Sequence, residues 1–366
     1  MIFSDRHTEK GDAFMKSPIF TGAWGNCHIQ GIAVDEKNGY IYYSFTTKLI
    51  KATIDGRFVG SVDGLVGHLG CIAFNEDDGC VYGSLEYKND IIGKGILDSI
   101  GSSSAFPDAF YAVRFDVAKI DREGISAENS DIMTAVYLKE PTDDYKGTGT
   151  DKNGNTVPHK YGCSGIDGLT FGPLPGENKG KYLYVAYGVY SDIQRNDNDH
   201  QILLCYDVSA LNFSKLDQKN MHRNGPSSPL HKYFVYTGNT RYGVQNLEYD
   251  KFTNSFLMAV YKGQKDEFPN YSLFAVDAAI RSENRCIPQL KENAEILSLK
   301  KSGKYDEKSG IYGWNFPYGS TGLYSYGDGN WLISHNRTSP EGQCSDIYHY
   351  SWNGTDPFVQ TDNADL

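Results

Sequence analysis

The chain has no run of 18 or more apolar residues, so no membrane-spanning helix is expected. It contains no CxxC pair and no Cys/His spacing of the structural zinc type. Its seven cysteines (Cys27, Cys71, Cys80, Cys163, Cys205, Cys286 and Cys344) are odd in number. Buried free thiols fit a chain of this length better than a disulfide framework, and Cys71 with Cys80 is the one pair whose placement suggests a bridge. Positive charge is scarce: 35 Lys and Arg face 46 Asp and Glu, for a net charge of −11. Nucleic acid and anionic membrane reward basic patches, so neither is expected as a main partner. The first residues, MIFSDRHTEKGDAF, lack the charged-then-apolar order of a secretory signal. The protein is expected to be cytoplasmic, or secreted with its leader already removed, with residues 1–12 forming a flexible terminus.

What the chain has in abundance is Tyr (27 residues) and Gly (39 residues). Tyr favours strands and Gly supplies turns. The order within these residues is a repeat. Gly67–Leu85, shifted back by 40 positions, lies on His28–Phe45 without a gap. His68 then falls on His28, Ile72 on Ile32, Gly79 on Gly39, Tyr82 on Tyr42 and Ser84 on Ser44. Each copy reads as a strand, a tight polar turn with Gly, and a second strand: a β-hairpin. Further copies start at Gly165, Gly243 and Gly319, making five. Third strands follow at Lys48–Ile54, Phe110–Phe115, Gln201–Tyr206, Tyr271–Val276 and Asp346–Tyr350. Fourth strands are predicted at Arg57–Val62, Ile132–Lys139, His231–Thr237 and Glu295–Leu299, and ahead of the first hairpin at Phe14–Thr21.

The predicted fold is therefore an all-β, five-bladed β-propeller occupying residues 1–366 as one monomeric domain. The N-terminal strand would complete the last blade and close the ring without a free edge. A ring of six or seven blades is the alternative, with the extra blade inside 88–109 or 277–317. No helix of consequence is required, though Ala278–Leu290 has room for a short one. The segment Pro141–Lys160 is almost free of apolar residues and reads as a long exposed loop. Within it, DKNGN at 151–155 lacks the distal Glu of a calcium loop and reads as turns.

In a propeller the first strand of each blade lines the central channel, and the segments entering it open on one face. The segments leaving each second strand open on that same face. Those segments select the candidate residues. His28 and His68 occupy one repeat position in adjacent blades, and His serves as general base, acid or metal ligand. Gln30, Asp167 and Gln245 face the axis at equivalent positions with Asn246 beside them, a ring of oxygens suited to water or to a calcium-type cation. The loop Tyr187–His200 adds Tyr187, Asp192 and Arg195, the last able to hold a carboxylate or phosphate bidentately. Glu86, His335, Asn336 and Arg337 extend the face, and Trp24, Tyr242 and Tyr318 supply aromatic surface. The catalytic candidates are His28, His68, Glu86, Asp167, Arg195 and His335.

The architecture resembles that of five-bladed propeller glycosidases. The resemblance covers the repeat architecture alone, because His28 stands where those enzymes carry an early Asp, and no catalytic residue is carried over. The Asp-box pattern S-x-D-x-G-x-x-W and the WD and kelch signatures are absent. A funnel of His, carboxylate, Arg and aromatic side chains suits an oligosaccharide or other small-molecule ligand. The expected function is a carbohydrate-active enzyme, either a hydrolase using a carboxylate pair such as Glu86 and Asp167 or a uronate lyase. Two alternatives stand beside it. One is a binding or scaffold propeller without activity. The other is a metal-dependent phosphoester hydrolase whose ligands would be Asp167, Asp192 and the two His.

Overall fold

The two gap-free repeats fold alike because the same turn chemistry ends their first strands. In one, Gly39 takes φ +70° and donates its N–H to Asp35 O at 2.9 Å. In the other, Gly79 takes φ +67° and donates to Asn75 O at 2.9 Å. Both need the left-handed region that Gly enters without cost. The computed structural model describes residues 18–25, 27–102, 106–128, 131–177 and 179–361.

Five such hairpins begin five twisted antiparallel sheets, and the sheets form the blades of a β-propeller. Blade one runs Ile29–Asp35, Tyr40–Phe45, Lys48–Thr53 and Phe58–Asp63 from the axis outward. Blade two runs His68–Asn75, Cys80–Tyr87, Ala109–Asp116 and Met133–Tyr137. Blade three runs Cys163–Gly172, Tyr182–Val189, His200–Tyr206 and His231–Tyr236. Blade four has Thr240–Asp250, Ser255–Lys262 and Leu273–Asp277, with single bridges to Leu299 and Trp314 in the fourth position. Blade five runs Leu323–Ser325, Asn330–Ser339 and Gly342–Trp352, and its outer place is taken by Ile19–Phe20 from the N-terminal side. Ile19 pairs with Ile347, so a strand from the start of the chain closes the ring. The expected strand at Phe14–Thr21 is thus present from Ile19; its part at 14–17, like residues 1–12, lies outside the described residues.

Apolar clusters fill the spaces between neighbouring blades. Tyr42, Leu69, Val81 and Phe115 pack between blades one and two, and Tyr184, Val244, Leu247 and Phe256 between blades three and four. Inter-blade hydrogen bonds repeat along with the hairpins. Ser44 Oγ donates to Gly70 O of the next blade at 2.7 Å, and Ser84 Oγ donates to Asp167 O at 2.6 Å. These are the two serines that the 40-residue repeat superposes. Asn246 Nδ2 closes the circle from blade four, donating to Gln30 O at 2.8 Å and to Ser320 O at 3.1 Å.

Five expectations are corrected. Glu292–Leu297 does not complete blade four: it pairs in parallel with His231–Tyr236 and, with Glu283–Ile287, widens blade three to six strands. Ile287, Ala294 and Ile296 give that hairpin an apolar face to lay on the blade, so Ala278–Leu290 holds a strand and no helix among its described residues. Pro141–Lys160 is not simply an exposed loop. Lys139–Lys146 is a helix whose Thr142, Asp144 and Tyr145 are buried, followed by a small hairpin of Thr148–Thr150 and Thr156–Pro158. A second helix, Ile91–Ser99, is capped by Asp90, whose carboxylate accepts from Gly93 N at 2.8 Å. The described parts of 88–109 and 277–317 thus contain a helix and added hairpins, and no sixth blade. Cys71 and Cys80 are free thiols, Cys71 turned toward blade three and Cys80 toward its own turn.

Candidate functional site

One feature of the inner strands decides what faces the axis. The pairing of inner and second strand slips between Ile29 and Gly31, between Leu69 and Ile72, between Ile166 and Leu169, and between Val244 and Asn246. A bulge re-aims the residues inside it. At the same level in four blades it turns Gln30, Asp167 and Gln245 away from the strict in-out alternation. Gly70 occupies the equivalent place in blade two, where a Cβ would lie 2.1 Å from Asp167 Oδ1. The absence of a side chain there gives Asp167 its space.

These residues line a cavity of about 570 Å³ on the axis, together with His28, His68, Glu86 and Tyr242. It is the face anticipated from the repeat. Its rear wall is a buried charge chain. Glu86, 4% exposed, accepts a hydrogen bond from Ile166 N and an ion pair from Lys88 Nζ at 2.8 Å. It also faces His68 Nδ1 at 3.3 Å. Gly165, at φ +125°, makes that approach feasible, since a Cβ there would overlap Glu86 Oε1. Lys88 Nζ also donates to Ser164 O at 2.8 Å. Both oxygens of the Glu86 carboxylate therefore have partners within the protein.

Asp167 is in the opposite situation. It is 7% exposed and its Oδ1 has no hydrogen-bond partner. Burial drives its pKa up to about 7, with the His68 charge opposing and the Glu86 carboxylate reinforcing the rise. The two His are pushed in opposite directions. Burial, aided by the charge of His68, lowers His28 below the usual imidazole value, and Gln30 Nε2 lies 3.2 Å from its Nε2. For His68, burial also works downward, but the Glu86 hydrogen bond and the charges of Asp167 and Glu86 outweigh it and the net movement is upward. Relative to a free imidazole, the cavity thus favours the neutral form of His28 and the protonated form of His68.

Three residues that the sequence reading did not single out complete the wall: Arg241, Tyr261 and Lys262. Arg241 lies over the Tyr242 ring at 5.1 Å, and neither it nor Lys262 joins an ion pair among the described residues. In a chain of net charge −11 the mouth of this cavity is locally cationic. Both cations lie on the first two strands of blade four, near the end where Thr240 pairs with Lys262 and Arg241 with Tyr261. A second cavity of about 420 Å³ adjoins the first and shares His28 and Tyr261 with it. Tyr318 and Asn336 line this one.

The remaining candidates are placed elsewhere. Arg195 is 4% exposed and fully occupied, bound by Nε and Nη2 to Asp197 at 2.7 and 2.8 Å and donating to Pro158 O and His159 O. It fastens the Lys139–Pro158 excursion to blade three and is not free for a ligand. Tyr187 is buried and donates to Asp144 at 2.8 Å. Asp192 caps a turn by accepting from Gln194 N at 2.8 Å. Trp24 donates to Thr21 O at 2.7 Å and packs on Phe58. Arg337 is tied to Asp346, and Asn246 to backbone carbonyls of blades one and five. His335 reaches Tyr350 Oη at 2.8 Å and stacks on Tyr318 from behind, with its pKa lowered by burial to about 4. The set Asp167, Asp192 and two His is therefore not brought together. Among the described residues no group of three His, Cys, Asp or Glu is gathered as for a metal. In the axial oxygen ring the Gln30, Gln245 and Asn246 amides donate to neighbouring protein atoms.

No protein-family model matches the chain, and no curated protein matches it. Among solved structures, it is similar to a GH43 β-1,3-galactosidase with galactodeoxynojirimycin, at 10% identity and TM-score 0.46, covering 95% of this chain and 100% of that one. It is similar to the PQQ domain of pyranose dehydrogenase from Coprinopsis cinerea, at 12% identity and TM-score 0.35, covering 87% and 81%. The Dos1 propeller matches at 9% identity and TM-score 0.34, covering 92% and 71%. At TM-scores below 0.5 these likenesses carry no argument, and the β-propeller fold rests on the sheet topology described above.

Proposed function

We propose that the protein is a carbohydrate-active enzyme that cleaves an acidic sugar by proton abstraction and β-elimination, with its site in the axial funnel. The observation that carries this reading is the splitting of His28 and His68. Two titratable groups of one type, lining one cavity, are driven apart by their surroundings, and such a pair suits the roles of base and acid. Neutral His28 takes the proton from the carbon next to the uronate carboxylate. The electron pair of that C–H bond forms the C4–C5 double bond as the C4–O4 bond breaks. His68, held protonated by Glu86, gives its proton to the departing oxygen. Arg241 and Lys262 neutralise the carboxylate, which makes its neighbouring C–H acidic enough to lose.

Hydrolysis by a carboxylate pair has less behind it, because both oxygens of Glu86 are already engaged by the protein, one by Ile166 N and the other by Lys88 and His68. Glu86 is a positioning residue for His68. The test is ultraviolet absorbance of the unsaturated product when the protein is incubated with a panel of uronate-containing oligosaccharides. A bell-shaped kcat/KM profile is expected, its base limb below pH 6.5 from His28 and its acid limb above 6.5 from His68. His28→Ala and His68→Ala should each reduce the rate by about 10²-fold or more. Absence of unsaturated product from every uronate tested, or full activity in both variants, overturns the reading.

A further inference from the structure

We infer that the funnel has a second sugar site, selective for a neutral residue, in the cavity that adjoins the acidic-sugar site across His28. The inference rests on the reading above for the first cavity only. The two spaces, of about 570 and 420 Å³, share His28 and Tyr261 and are therefore continuous at the predicted base. Their chemistry differs. The first is lined by Arg241, Lys262, Lys88, Glu86 and Asp167. Among the described residues the second has no Asp, Glu, Lys or Arg in its wall, which is made of hydroxyl and amide groups (Ser320, Thr321, Ser334, Asn336, Gln343) beside Tyr318. Amides and hydroxyls donate to and accept from sugar hydroxyls without favouring either charge.

Tyr318 supplies the apolar half of such a site. Its ring lies flat on His335, with centroids 3.4 Å apart and planes 7° from parallel, while Phe316 meets it edge-on at 5.8 Å. One face is thus covered, yet the residue remains 38% exposed, so the open surface is the other face and edge on the cavity side. His335 is itself held by Tyr350 at 2.8 Å, which fixes the platform before a ligand arrives. A rigid aromatic face takes the apolar side of a pyranose at little entropic cost. A neutral residue there and an acidic residue in the first cavity would place the bond joining them against His28. The preferred substrate is accordingly a mixed glycan in which a neutral sugar is linked to a uronate.

The test uses fragments that cannot be cleaved, a neutral methyl hexoside and free glucuronate, titrated singly and together against the intact protein and followed by NMR. Both should bind at once, each with its Kd unchanged by the other. Tyr318→Ala should weaken the hexoside by about twofold to tenfold, the worth of one aromatic contact, and leave glucuronate unchanged. Tyr318→Phe, which keeps the ring, should retain hexoside binding. Arg241→Ala should weaken glucuronate alone. Competition between the fragments, hexoside binding indifferent to Tyr318→Ala, or no hexoside binding to the folded protein overturns the second site. Binding of the hexoside with the Tyr318 dependence but no binding of glucuronate leaves the second site standing and refutes the uronate reading of the first.

Discussion

Replacing Asp167 with Asn is expected to stabilise the protein at alkaline pH and to lose that advantage as the pH falls. The carboxyl is 7% exposed and its Oδ1 meets no donor, so its charged form is held in a poor environment. Burial is the main reason its pKa climbs from 3.8 to about 7. A folded-state value above the unfolded one means that the folded protein keeps this proton longer. The associated stability is complete below pH 3.8 and is lost as the pH rises through about 7. At about 1.36 kcal/mol per pH unit, that interval corresponds to roughly 4 kcal/mol. Asn has no proton to lose and about the same volume. The difference in unfolding free energy between the Asn variant and the native protein should therefore be larger at pH 8 than at pH 4 by on the order of 4 kcal/mol. Comparing the two pH values cancels any change in packing that the substitution brings at both. Denaturant unfolding followed by intrinsic fluorescence measures each value by linear extrapolation. A stability difference that is equal at the two pH values, or larger at pH 4, would refute the assignment of Asp167 as a strained buried acid. Stored strain of this kind at a cavity wall is a cost that function commonly explains.

The other predictions concern groups around the same funnel. Glu86→Gln should cost about 3–5 kcal/mol, because Lys88 is left buried without its closest partner. In that variant His68 should titrate lower, since its hydrogen bond to the Glu86 carboxylate is gone; an unmoved His68 signal in an NMR titration would contradict the role given to Glu86. In the native protein the His68 contribution to stability is complete below pH 6.5 and disappears as the pH rises through its raised value, and the variant should lack that dependence. Arg195→Ala should destabilise by about 3–5 kcal/mol through the stranded Asp197, while ligand affinity in the funnel stays unchanged; weakened binding in the still-folded variant would return Arg195 to the site. Ile19→Ala, in the strand that closes blade five, should lower stability by about 2–5 kcal/mol, and a neutral result in thermal unfolding would mean the ring does not depend on that closure.

The architecture was readable from the sequence because a propeller is written in local code. Asp35 to Gly39 and Asn75 to Gly79 form their turns within five residues, and the alternating strands on either side announce themselves by a period of two. The matched serines, Ser44 and Ser84, even carried an inter-blade bond in the repeat itself. The His pair and the axial positions of Gln30, Asp167 and Gln245 followed from the same register. Where the reading failed, the deciding contact was distant in sequence. Glu292–Leu297 found its partner at His231–Tyr236, across a parallel pairing that no turn signals. Arg195 has the composition of a ligand-binding residue, yet Asp197 and two carbonyls from Pro158 and His159 claim all its donors named here.

By itself, then, the sequence determined the hairpins, their number and the end of the ring on which chemistry would gather, because turn geometry and strand alternation are properties of neighbours in the chain. Only the tertiary structure decided which side chains there remain free to act. Glu86, Lys88 and His68 become a single charge chain, Asp167 becomes a buried acid with one oxygen unpartnered against Gly70, and Arg241 and Lys262 line the same cavity. Those outcomes depend on burial, on bulges in the inner strands and on partners from other blades, and protonation follows from such surroundings and not from residue type.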